Sequence, residues 1–280
     1  MEMKFMRVCF GVTLLAVCAC LVSCGDDDDD EETSVSYAYM VDGTHEGYST
    51  VDFTYIDNPY VYASESLTIT ATSSTTVSVS YTNDTWGTYE ADDVTVTKSG
   101  SSYVLSGTGT AAISSHNGSS TYTFTLSGTA NSSGDITSME FSMEFMGGTT
   151  ITFVEGEAPA AYVIDGDYIC DVEAVFTYAS LSYEGDTLTI TATSETTVEI
   201  SYTNDTWGEY TVSDIAVSEK SDGSYSLAGE GEVAVSYHSD SSTSYDFDFS
   251  GTISSDLSDY TFVFSMEFMN GTTLTLTPAE

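Results

Sequence analysis

The residue types best suited to holding a ligand lie in one short run that occurs twice, Asn83-Asp84-Thr85-Trp86 and Asn204-Asp205-Thr206-Trp207. An indole face beside an amide and a carboxylate offers apolar stacking plus hydrogen bonds to hydroxyls, the combination a neutral sugar ring requires. The same residues suit a plug, the favoured reading, with the indole closing the end of a barrel and Asn and Asp shaping the turn. Repetition fits both readings, because a duplicated fold repeats its plug along with any site. Other reactive side chains are isolated. His116 and His238 occupy corresponding loops beside Asn117 and Asp240, but one imidazole per loop falls short of a metal-ligand set. His45 has Tyr168 as its counterpart, and Cys170 lies in a predicted strand where the other copy has Gly47. Glu144 and Glu267 are the best carboxylates for catalysis, each between Met and Phe, yet their parity points them to solvent. Neither a triad, a glycine-rich phosphate loop nor zinc-ligand spacing accompanies them. The sequence therefore predicts no enzyme, no cofactor and no metal.

The elements that would position these residues are strands. Leu67, Ile69 and Ala71 alternate with threonines, and Met139, Phe141, Met143 and Phe145 alternate with Glu140, Ser142 and Glu144. Period 2 with one apolar face marks half-buried β-structure, and helical spacing is absent after the N-terminal leader. Leu67–Tyr89 and Leu188–Tyr210 differ only at Ser74/Glu195, Ser78/Glu199, Val79/Ile200 and Thr88/Glu209, and Phe141-Ser-Met-Glu-Phe-Met146 returns as Phe264–Met269. An internal repeat of this length means two copies of one domain, expected over residues 41–156 and 164–280 with residues 157–163 as a linker containing Pro159. In the first copy strands are expected near 44–56, 67–72, 76–82, 92–98, 102–107, 109–115, 121–128 and 137–154, the last with a hairpin at Gly147-Gly148. The count is eight or nine. Short turns imply a meander, and a meander of this size avoids exposed edges by closing on itself. The expected fold is all-β: two tandem small antiparallel up-and-down barrels of about eight strands each. Inward parity in the first copy collects Phe53, Tyr55, Tyr81, Tyr103, Tyr122, Phe124, Met139, Phe141, Met143, Phe145 and Phe153 with aliphatics such as Leu67, Ile69, Val77 and Ile151. That bulk can fill an eight-stranded barrel or leave a partial pocket at one mouth.

Charge narrows the partners. The chain carries 44 acidic residues against 4 Lys and Arg, a formal charge of −40. After the leader the only basic side chains are Lys98 and Lys220, with no arginine. Nucleic acid, whose affinity rests on cations neutralising phosphates, is excluded, and anionic substrates are disfavoured. Neutral glycans, apolar molecules, divalent cations and other proteins stay open.

The N-terminus predicts an address. Lys4 and Arg7 precede an apolar stretch from Val8 to Val22, too short to cross a bilayer comfortably. Leu21-Val22-Ser23-Cys24 resembles a bacterial lipobox, so residues 1–23 read as a lipoprotein signal peptide and Cys24 as the acylated first residue of the mature chain. Acyl chains there would anchor the protein to a membrane without a spanning helix. Residues 24–40 form an acidic linker with seven consecutive carboxylates from Asp26 to Glu32. The run resembles the export signal that places lipoproteins of some Gram-negative gut bacteria on the outer face of the outer membrane; a solvated spacer and a weak calcium-collecting tail are the alternatives. Cys9, Cys18 and Cys20 leave with the signal, so Cys170 remains alone and no intrachain disulfide can form.

The starts Val41-Asp-Gly-Thr and Ile164-Asp-Gly-Asp, the Ser-Tyr-Thr-Asn-Asp-Thr-Trp-Gly segments ending at Gly87 and Gly208, and the Met-Glu-Phe-Met-x-Gly-Thr-Thr ends resemble the calycin-like β-barrel domain of bacterial surface lipoproteins. The likeness covers nearly all of the mature chain, twice. It implies a small up-and-down barrel related in shape to lipocalins, and no particular activity. Lipocalins place Gly-x-Trp in their first strand, whereas here Thr44 and His45 follow Gly43. Together these readings predict an outer-membrane, surface-exposed lipoprotein that binds a small apolar molecule or a neutral glycan. The alternative is an adhesive or structural protein with packed barrels that meets a surface partner.

Overall fold

The structure, a computed structural model, describes residues 36–115, 118–235 and 243–279. Eight antiparallel strands come first: β1 (Gly43–Phe53), β2 (Tyr60–Ala71), β3 (Thr76–Asn83), β4 (Gly87–Ser99), β5 (Ser102–Ser115), β6 (Gly118–Ala130), β7 (Ile136–Met143) and β8 (Thr149–Glu155). Each pairs with the next, and β8 returns to β1 through pairs such as Val51 with Ile151, closing a barrel. The second copy supplies β9 (Gly166–Phe176), β10 (Ala179–Ala192), β11 (Thr197–Asn204), β12 (Gly208–Ala216), β13 (Ser218–Glu219), β14 (Tyr225–Val235), β15 (Thr243–Ile253), β16 (Tyr260–Met266) and β17 (Thr272–Pro278). Here the strand equivalent to β4 breaks at Val217 into β12 and β13, and among the described residues no ladder joins β12 to β14, so this barrel is nearly closed. The strand beside that seam carries like charges face to face. Glu230 opposes Asp248 and Glu232 opposes Asp246, where the first barrel pairs Thr108 with Thr125 and Thr110 with Thr123. Directly opposed like charges weaken strand pairing.

The alternation read from sequence carries the core. In β3 it is unbroken, and Leu67, Ile69, Val77, Phe141 and Ile151 all lie at 1% exposure or less. The two barrels have separate cores. Each is organised around one ring: Phe141 lies 5.5 Å from Tyr81, 5.6 Å from Tyr89 and 5.4 Å from Phe124, while Phe264 lies 4.9 Å from Tyr210 and 5.0 Å from Phe249. Both interiors are full. Inward glycines mark where ring and backbone touch: a Cβ on Gly109 would sit 2.5 Å from Phe124 Cζ, and one on Gly231 would sit 2.5 Å from Phe247 Cζ.

That crowding corrects one strand assignment. Residues 102–107 and 109–115 are one strand, β5, because Gly107 and Gly109 are not a turn but the positions over which Val94 and Phe124 pack. Residues 137–154 are two strands joined by a 3-10 turn, Phe145–Gly147, in which Met146 takes a left-handed conformation at φ 50°. Tyr55, expected inside, is 74% exposed, since β1 ends at Phe53 and Tyr55 falls in the turn beyond it. Tyr122 and Phe145 are only half-buried and stack on each other at 4.8 Å.

Each barrel also has a lid that periodicity did not show. Ala38–Met40 forms a 3-10 turn under the first barrel, and α1 (Ala160–Val163), capped by Pro159, does the same for the second. At four residues or fewer, neither is long enough to display a helical period. Ala38, Val41, Ala161 and Ile164 are fully buried by these lids.

Gly231→Ala forces a methyl into Phe247 and is expected to destabilise the chain by about 1–3 kcal/mol. Exposed Ser250→Ala on the neighbouring strand should stay within about 0.5 kcal/mol. Urea denaturation midpoints check both.

Candidate functional site

Both copies of the Asn-Asp-Thr-Trp run sit at a barrel end, on the β3–β4 and β11–β12 turns. The structure separates their members. Asn83 and Asn204 are buried, and their Oδ1 atoms accept from the backbone N–H groups of Thr85 and Trp86 (both 3.0 Å) and of Thr206 and Trp207 (2.9 and 3.2 Å). This is an Asx turn, with the asparagine standing in for a backbone acceptor. The turn drives the tryptophan inward: Trp86 is 8% exposed and Trp207 1%. Their rings are flanked by protein rings, Phe53 at 5.6 Å and Tyr60 at 6.1 Å from Trp86, Phe176 at 5.9 Å from Trp207. The indoles close the barrel end opposite the lids. Asp84 and Asp205 are exposed.

Sequence reading missed the residues that hold the plug. Glu65 keeps the inward parity of Leu67, and a bulge in β2, between the pairs Gly47–Glu65 and Ser49–Tyr62, then reverses that parity so that Tyr62 also faces the barrel; Asp186 and Tyr183 stand in the same relation across the bulge of β10. Tyr62 and Tyr183 accept the indole N–H of Trp86 and Trp207 at 2.7 and 3.0 Å. Glu65 accepts from the Tyr81 hydroxyl at 2.7 Å and the Asn83 amide at 3.1 Å, one on each oxygen. Asp186 takes both corresponding bonds, from Tyr202 and Asn204, at 2.8 Å. Desolvation raises the Glu65 carboxyl above its usual value, against the two hydrogen bonds, and burial pushes the Tyr81 and Tyr202 hydroxyls far above the ordinary phenol range. The signal was present in the repeat: Tyr62-x-x-Glu65 and Tyr183-x-x-Asp186 share one spacing.

Outside this network runs a groove of about 600 Å³, walled by Glu65, Asn83 and Tyr62 and rimmed by Asp84, Ser64, Ser66, Thr68, Ser80 and Thr82. Its lining is hydroxyl-rich with one aromatic ring. A larger groove of about 940 Å³ crosses the second barrel over β14–β17, away from both tryptophans, and carries Glu230, Asp246, Asp248 and Glu267.

The remaining candidates are dispersed. His45 is a latch, with Nδ1 2.8 Å from Glu155 Oε2 and Nε2 3.0 Å from the Val41 carbonyl; in the second barrel the Tyr168 hydroxyl reaches the Ile164 carbonyl at 2.8 Å. Cys170 is fully buried, and burial pushes its thiol up to about 11. Glu144 and Glu267 stand exposed where strands end and 3-10 turns begin. Among the described residues no group of three or more His, Cys, Asp or Glu could hold a metal. His116, His238 and Cys24 lie outside the described residues.

The model of the calycin-like β-barrel domain family matches residues 41–155 and 164–277. The chain belongs to this family. No curated protein matches the sequence. Among solved structures, the calycin-like pair resembles the crystal structure of a "putative outer membrane protein" from Bacteroides fragilis, with a TM-score of 0.57 and 19% identity over 88% of this chain and all of the other. That likeness is one of fold.

Tyr183→Phe leaves the Trp207 N–H buried without a partner and should cost about 1–3 kcal/mol. Tyr62→Phe should cost no more, because Trp86 is the more exposed indole; differential denaturation of the two variants tests the order. Glu65 has a folded value above 4.5, so its contribution is full below that pH and is lost as pH rises through the folded value. Glu65→Gln should therefore gain in melting temperature relative to the parent as pH goes from about 4 to about 7.

Proposed function

We propose that this chain is a non-enzymatic, lipid-anchored protein of the outer-membrane surface that binds on the outside of its calycin-like barrels, with a neutral glycan in the groove beside Asn83 and Asp84. The observation that carries this reading is the filled interior: rings occupy the centre of each barrel, a lid closes one end and a tryptophan the other. A small apolar ligand, which would need that interior, is not favoured. The groove offers what a sugar needs, namely serine and threonine hydroxyls, the exposed Asp84 carboxylate and one aromatic wall at Tyr62. Glu65 supports binding rather than catalysis, since both of its oxygens are held by donors from the fold. The anchor rests on the Cys24 motif and the acidic run after it, and the surface location also draws on the name of the Bacteroides fragilis structure. A second reading, a protein-binding surface, is favoured by the carboxylate-lined groove over β14–β17.

The test is thermal shift with neutral oligosaccharides built on glucose, galactose and N-acetylglucosamine. A ligand at about 100 times its Kd stabilises by about 2.7 kcal/mol, and Asp84→Ala should remove that shift without lowering the unliganded melting temperature. The glycan reading falls if no oligosaccharide shifts the parent, or if Asp84→Ala keeps the full shift.

A further inference from the structure

The two lids are copies of one element with different surroundings. Ala38 and Val41 correspond to Ala161 and Ile164, all fully buried. Asp42 accepts the Ala71 N–H at 2.6 Å just as Asp165 accepts that of Ala192. The outward residues of the second lid, Tyr162 and Val163, have a use. The Tyr162 ring lies 5.7 Å from Tyr48, and Val61 packs against the second core together with Tyr162 and Val163. Tyr48 faces outward from β1 yet is only 9% exposed, so this contact covers it. The second barrel thus docks, lid first, on the outer face of the first barrel's first hairpin. The equivalent residues of the first lid, Tyr39 and Met40, are 63% and 43% exposed.

We propose that Tyr39 and Met40 form a docking face for another calycin-like barrel, one whose first hairpin presents a neutral aromatic and aliphatic pair where this chain has Tyr48 and Val61. The proposal goes beyond the glycan groove and uses a different surface. A head-to-tail contact of this kind can propagate from molecule to molecule, and the second barrel is built so that it does not. Where the first hairpin has Tyr48, Thr50, Val61 and Ala63, the second has Asp171, Glu173, Ser182 and Glu184. Docking the apolar lid of another copy there would strip water from the Glu173 and Glu184 carboxylates, a cost the neutral face of the first hairpin does not carry. The first barrel's own hairpin is already covered by α1. The occupant is therefore a barrel of a different chain.

The inference is tested by giving the second barrel the missing face. In the chain from Gly25 onward, D171Y, E173T, S182V and E184A together recreate the first hairpin's surface. A short tether supplies an effective concentration of roughly millimolar, so the free contact is measured by sedimentation at protein concentrations up to about that level, with about 0.5 M salt to screen the net negative charge. The expected result is a concentration-dependent rise in mass above the monomer that Y39S/M40S abolishes. If the four-fold variant misfolds by circular dichroism, D171Y/S182V serves, with a smaller rise in the same direction. A folded variant that stays monomeric, or association that survives Y39S/M40S, overturns the proposal. Y39S/M40S in the parent should leave the melting temperature unchanged; a loss of several degrees would assign these residues to their own barrel and also overturn it.

Discussion

Everything in this molecule depends on fitting rings into a space that eight strands can only just enclose. Phe141 and Phe264 each meet several aromatic neighbours at offset or edge contact, arrangements that add about 0.5–1.5 kcal/mol per pair beyond area burial. To admit those rings the walls must thin, which is why glycine appears inside β5, β6, β14 and β15, facing a ring or sulfur that leaves no room for a methyl. With rings at the centre of each barrel, the two larger grooves of the described residues lie on the outside.

The ends follow from the same constraint. A filled interior still has two mouths through which water would reach the rings, and each is stopped by a short element with few hydrogen-bonding groups left over. At one end the lid seats Ala38 or Ala161 and is latched by His45 or Tyr168, two different side chains reaching the same carbonyl position. At the other, an Asx turn presses the indole inward, and a bulge supplies the tyrosine that satisfies its N–H and the carboxylate that ties Asn to Tyr. The apparent binding run is thereby split by burial. Asn and Trp serve the fold, and the Asp and Thr between them keep access to solvent.

Duplication then lets the two outsides diverge while the insides stay alike. Thr108, Thr110, Thr123 and Thr125 become Glu230, Glu232, Asp246 and Asp248, and the neutral hairpin face that receives α1 becomes acidic in the second copy. Substitutions at outward positions leave ring packing untouched, so the surface can take on charge while the β14–β15 ladder that carries it stays continuous.

Period-2 patterning and the internal repeat determined the class, the tandem arrangement and most of the core, because a strand buried on one face must alternate and a duplicated core must repeat. Three things were decided only in three dimensions. The β2 and β10 bulges reverse parity through a pairing mismatch that one strand alone cannot reveal, so the inward turn of Tyr62 and Tyr183 onto the indoles could not be read from alternation. The break expected between residues 107 and 109 vanished once Val94 and Phe124, on the strands flanking β5, were seen to pack over the two glycines. Whether the barrels are hollow was open in the sequence, because filling depends on the volume the closed strands enclose, and that volume exists only once β8 has found β1.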